Sequence, residues 1–180
     1  MISTNLKRSF LLSVAAITVS IACVSPTSAQ EQEEELPVLG SGDVDVDDDI
    51  DATVEVNQLR QTESGGYTSL TWSLQNNESK DIDIIEFKNE TYTYGIKGKT
   101  EAAGVALVDE EKGVRYYPLK DSSEEEVCLC SGAERTSTFQ NSVSDGEKAT
   151  YWSAFNLPED VSTVTVDIPK FEPIEDVQIE

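Results

Sequence analysis

Leu70-Thr71-Trp72-Ser73-Leu74-Gln75 alternates large apolar with small polar side chains, residue by residue. A period of two puts Leu70, Trp72 and Leu74 on one side of an extended chain and Thr71, Ser73 and Gln75 on the other. A helix would scatter that apolar set around its circumference, so the stretch reads as a strand with one buried face. Val164-Thr165-Val166-Asp167-Ile168 repeats the pattern far along the chain. Further β-branched and aromatic runs lie at 53–59, 81–87, 92–97, 104–108, 114–119, 125–130, 149–155 and 174–179. Ser64-Gly65-Gly66, Asn76-Asn77, Lys97-Gly98, Lys112-Gly113 and Asp145-Gly146 supply turn chemistry between them.

Short strands at near-regular spacing, with no helical stripe among them, predict an all-β domain over 52–180, closed as a sandwich or barrel. The expected architecture is an immunoglobulin-like β-sandwich, with Trp72 or Trp152 as its buried tryptophan. Trp152 and Phe155 are read as core and rim residues rather than a carbohydrate-stacking surface. The cross-sheet cysteine pair of antibody domains is absent. The expected likeness is therefore one of architecture.

Outward from the domain, 30–51 (QEQEEELPVLGSGDVDVDDDID) is dominated by carboxylates, with Pro37, Gly40 and Gly42 among them. Self-repelling charge with little apolar surface predicts an extended, disordered acidic linker. Asp43-Val44-Asp45-Val46-Asp47 has the alternation of a calcium loop. Asp48 stands where an EF-hand starting at Asp43 needs glycine, and Val54 where it needs a bidentate carboxylate. Starting at Asp45 puts Ile50 and Val56 there, so the linker offers calcium only a weak, unshaped site.

Further back, Lys7 and Arg8 precede an apolar run from Phe10 to Val24 and then Ser25-Pro26-Thr27-Ser28-Ala29. Positive end, short apolar core and small residues are the order of a secretory signal peptide over 1–29, cut between Ala29 and Gln30. A rival cut before Cys23 would leave a lipid-modified cysteine and a membrane anchor. Either way the expected location is extracellular or the cell envelope, with no membrane span in the mature chain. Loss of Lys7 and Arg8 leaves 11 basic residues against 35 acidic, a balance of −24. Such charge repels phosphate backbones and anionic lipid surfaces, which argues against nucleic acid as a partner.

The chain has no histidine, and its one methionine is the initiator. That removes the commonest general base near neutral pH, the Ser–His and Cys–His nucleophile pairs, and imidazole or thioether metal sites. Gly95, Gly98 and Gly104 lack the spacing of a phosphate cradle. Carboxylate pairs for glycoside hydrolysis arise by chance in so acidic a chain. No catalytic, cofactor or metal residue is therefore assigned, and the expectation is a protein that is not an enzyme.

Cys128 and Cys130 remain after the signal is removed. An even count in an exported protein suggests a disulfide. Residues two apart in a strand have Cα atoms nearly ~7 Å apart, the outer limit for a bridge, so this one requires a turn. The alternative is an envelope thiol–disulfide protein acting through the Cys128/Cys130 pair. Against it, Glu124, Glu125 and Glu126 would raise a thiol pKa rather than lower it.

Four pieces taken together resemble a known family. They are Val114-Arg115-Tyr116-Tyr117-Pro118-Leu119-Lys120-Asp121, Cys128-Leu129-Cys130-Ser131, Trp152-Ser153-Ala154-Phe155-Asn156-Leu157-Pro158, and Val164 to Pro169 followed by Phe171-Glu172-Pro173-Ile174. Across roughly 54–180 the chain resembles an exported actinobacterial β-sandwich domain of no established activity, found alone or ahead of OmpA-like peptidoglycan-binding domains. The resemblance implies a non-catalytic envelope module that contacts another protein or a wall polymer.

Overall fold

In a computed structural model, the residues described are 36–45, 50–62, 66–88, 101–122, 127–132 and 138–180. The proposed signal peptide, both candidate cuts and the 92–97 run lie outside them. The described chain is all-β. Its strands are β1 Gly40–Asp43, β2 Ala52–Gln61, β3 Thr68–Asn76, β4 Ile82–Asp83, β5 Ala106–Asp109, β6 Val114–Tyr116, β7 Ser142–Val143, β8 Lys148–Phe155, β9 Thr163–Asp167 and β10 Ile174–Gln178. They form antiparallel sheets in the orders β1-β2-β3-β8 and β10-β9-β5-β6, with β4 and β7 as a separate pair.

The alternation in β3 places Leu70, Trp72 and Leu74 inward as expected, each at most 2% exposed. Trp72 stands opposite Tyr151 of β8, and the two rings lie 4.9 Å apart between centroids. The planes are tilted by 39°, at a separation within the range that aromatic pairs favour. In β2 the apolar phase breaks: Val54 and Val56 are two apart, but the next buried apolar residue is Leu59. A bulge between Val56 and Gln58 absorbs the extra residue and turns Leu59 back inward. Asn57, 3% exposed, sits at that bulge; its Nδ2 donates to the Pro37 carbonyl at 2.9 Å, and its Oδ1 accepts from Ser73 Oγ at 2.7 Å.

Both large sheets feed one core. Val56, Leu70, Trp72 and Phe155 of the first belong to the same buried cluster as Leu107, Val164, Val166 and Val177 of the second. Backbone bonds also join the sheets at their margins. On one side Glu172 N–H donates to the Asp43 carbonyl at 2.9 Å, and Glu180 N–H to that of Leu59 at 2.9 Å. On the other, Leu119 N–H donates to the Ala154 carbonyl at 2.8 Å. Exposed strand edges invite pairing with other chains, and these bonds cover them.

Three expectations need correction. Within 30–51, Gly40–Asp43 is not disordered linker but strand β1, in register with Thr53–Val56 of β2. Glycine makes that docking feasible: a Cβ on Gly42 would lie 2.5 Å from the Glu172 carbonyl oxygen. The 81–87 run is extended only at Ile82–Asp83 and then winds into a 3-10 turn, Ile84–Phe87. One such turn brings residues three apart to the same side, so Ile84 and Phe87 are both buried. The 125–130 run is not a strand in its described part, where Cys128 and Cys130 each make only an isolated bridge. Among the described residues no helix is long and apolar enough to cross a membrane.

Candidate functional site

The cysteine segment lies against the margin of β8. Cys128 bridges to Lys120 and Cys130 to Ser153, so the chain crosses from one neighbour to the other within three residues. At its midpoint is a closed ring of backbone bonds. Leu119 N–H donates to Ala154, Ala154 N–H to Leu129 at 2.9 Å, and Leu129 N–H back to Leu119 at 2.7 Å. The bend brings the cysteine Cα atoms to 5.3 Å, and their sulfurs meet at disulfide distance. The turn that the spacing required is therefore present. Cys128 and Cys130 are 0% and 1% exposed, which withholds the access that thiol–disulfide exchange needs.

Glu101, remote in sequence, brings a carboxylate to this place; its oxygen and the two sulfurs all lie within 4.8 Å of one another. Sequence reading missed it, because no spacing links position 101 to 128. The set holds three donors, and both sulfurs are engaged with each other, so it does not form a closed thiolate site.

The outer face of the β1-β2-β3-β8 sheet is built of crosswise rows fixed by register. Asp43, Thr53, Gln75 and Lys148 form one, and Ser41, Glu55, Ser73 and Thr150 the next. Gln58, Thr71 and Trp152 follow, then Arg60, Ser69 and Ala154. The first two rows are tied up internally. Lys148 Nζ lies 2.8 Å from Glu55 Oε2, Ser73 Oγ lies 3.0 Å from Thr150 Oγ1, and Thr53 Oγ1 donates to Asp43 at 3.1 Å. In the last two rows, no side-chain hydrogen bond joins Gln58, Arg60, Ser69 or Thr71 to another described residue. Trp152 stands among them 37% exposed, against 2% for Trp72. The expectation that either tryptophan could fill the core is thereby corrected: register turns Trp72 inward and Trp152 outward.

A cavity of about 310 Å³ opens beside the β5–β6 turn, lined by Asp109, Lys112, Asp160, Thr163 and Asp176 among others. Gly113 closes that turn at φ 63°, a conformation that glycine adopts freely. Lys112 Nζ bonds Asp160 Oδ2 at 2.9 Å and lies 3.5 Å from Asp109 Oδ2. The hydrogen bond to Asp160 raises the Lys112 pKa, and the same bond lowers that of Asp160. Both stay ionised around neutrality, so the pair offers no proton for transfer. Burial pushes the Tyr151 hydroxyl pKa upward, and its O–H donates to the Gln140 carbonyl at 3.0 Å.

Fold and surfaces together define an all-β protein of several antiparallel sheets with a paired-cysteine margin and a tryptophan-bearing face. No family model, curated protein or solved structure matches this chain.

Proposed function

We propose that this chain is an exported, non-catalytic module of the cell envelope, a β-sandwich of immunoglobulin-like architecture that binds a protein or a wall polymer. Immunoglobulin-like here means two packed sheets, since the β2–β3 hairpin stays within one sheet. The observation that carries the reading is Trp152, 37% exposed on a sheet face where Gln58, Arg60, Ser69 and Thr71 make no side-chain hydrogen bond to another described residue. Leaving an indole in water forgoes the gain from burying a large aromatic, and aromatic anchors are enriched where partners dock. The signal-like leader and the actinobacterial resemblance support the location. The buried cysteine bridge serves this module as a clamp on the β8 margin.

The test is capture from envelope extracts and purified walls by the mature chain, beside an unrelated protein of matched net charge. Specific enrichment of one envelope protein or wall fraction is expected. Equal recovery on both baits removes the proposal.

A further inference from the structure

We infer that the open end of the β1-β2-β3-β8 face, centred on Trp152, is a binding surface for an uncharged glycan. The inference rests on the module reading above and names its ligand class. Gln58, Thr71 and Trp152 stand side by side on three neighbouring strands, with Arg60, Ser69 and Ala154 in the adjoining row. Neighbouring strands are ~4.8 Å apart, so the first row spans about 10 Å across the sheet.

A sugar ring presents two kinds of surface, polar hydroxyls around its rim and a patch of C–H groups on one face. The hydroxyls need donors and acceptors; the C–H patch, slightly positive, suits the negative face of an indole. This end of the sheet supplies both. Thr71 and Ser69 offer hydroxyls, Gln58 an amide and Arg60 a fork of donors, with Trp152 beside them as a stacking plane. The strand that carries the indole is anchored at this point, because the Trp152 backbone N–H donates to Ser131 Oγ at 2.9 Å and Ser131 N–H returns to the Trp152 carbonyl at 2.8 Å. A backbone fixed before binding leaves only the side-chain torsions of the indole to be ordered on stacking.

Charge selects among occupants. The whole chain carries −22, yet the charged members of this face are Asp43, Glu55, Lys148 and Arg60, two of each sign. A balanced face on so acidic a protein neither attracts a polycation nor escapes the repulsion that the rest of the molecule exerts on a polyanion. A protein partner would want an apolar centre, and Trp152 and Ala154 alone are apolar in these two rows. An uncharged polymer rich in hydroxyls meets none of these penalties.

The experiment measures retention of the mature chain on insoluble N-acetylglucosamine polymer, glucan and galactan, with an acidic polysaccharide as control. Binding to at least one neutral polymer is expected, reduced at least tenfold by Trp152→Ala and partly restored by Trp152→Phe. Thr71→Glu, which sets a carboxylate beside the indole, should weaken binding independently should Trp152→Ala fail to fold. Glu175→Ala, on β10, should bind like the wild type. Wild-type binding untouched by Trp152→Ala and Thr71→Glu overturns the site. Failure on all three neutral polymers overturns the ligand class; continued capture of an envelope protein would then leave the module reading standing, and its loss would remove both.

Discussion

Trp152 and Ser131 bond to each other in both directions: the Trp152 backbone N–H reaches Ser131 Oγ at 2.9 Å, and the Ser131 backbone N–H reaches the Trp152 carbonyl at 2.8 Å. The serine immediately follows the cysteine pair, so the clamp is tied to the backbone that carries the exposed indole. Ser131 is 3% exposed, so Ser131→Ala would leave a backbone donor with no acceptor and little water. The expected cost is about 1–2 kcal/mol. Urea denaturation should show a lower midpoint at unchanged slope; an unchanged midpoint would mean the side-chain bond carries no weight.

Glycine at 42 is required by close approach. A Cβ there meets backbone, the Glu172 carbonyl, whereas one on Gly40 meets the Ile174 side chain at 2.6 Å. Side chains yield more readily than backbone. Gly42→Ala should therefore destabilise by about 2–3 kcal/mol and more than Gly40→Ala, read by thermal unfolding of the two variants side by side.

The cysteine bridge encloses a very small loop, so its stabilisation should be modest, about 1–2 kcal/mol. Replacing Cys128 and Cys130 together by Ala should lower the melting temperature by several degrees while far-UV circular dichroism stays β-type. A collapse of the β signal would assign the bridge a larger role than its loop size supports.

Ionic pairing at the cavity predicts a pH signature. Asp160 has a lowered pKa, so its contribution is present above the ordinary 3.8 and disappears as pH falls through the lower folded value. Lys112 has a raised pKa, so its contribution holds below 10.5 and disappears as pH rises through the higher folded value. The melting-temperature difference between wild type and Lys112→Met should be small, flat between those limits, reduced outside them and diminished by salt. A difference that peaks near neutrality would contradict the assignment.

Alternation made β8 legible because side-chain period and burial coincide along it. In β3 and β9 the apolar phase is buried as read, but Ser73 and Thr165 on the opposite phase are buried as well. It did not reveal β1, since Gly40-Ser41-Gly42-Asp43 has no apolar side chain to bury, and what docks it is backbone against Glu172. The bulge at Asn57 was hidden for a related reason: it shows only as Leu59 falling out of phase with Val56, which a reading of strand extent passes over. Trp72 and Trp152 both lie in strand-like runs, and only register distinguishes the inward from the outward indole. The turn at the cysteine pair followed from Cα spacing, whereas Glu101 beside it required the fold.

The most direct test of the account uses the two indole N–H resonances of the mature chain as neutral N-acetylglucosamine oligomers are added. The account predicts that the Trp152 signal shifts in a saturable way, together with the amides of Gln58, Ser69 and Thr71, while that of buried Trp72 stays in place. Shifts that spare Trp152, or that gather instead around Lys112 and Asp160, would contradict it.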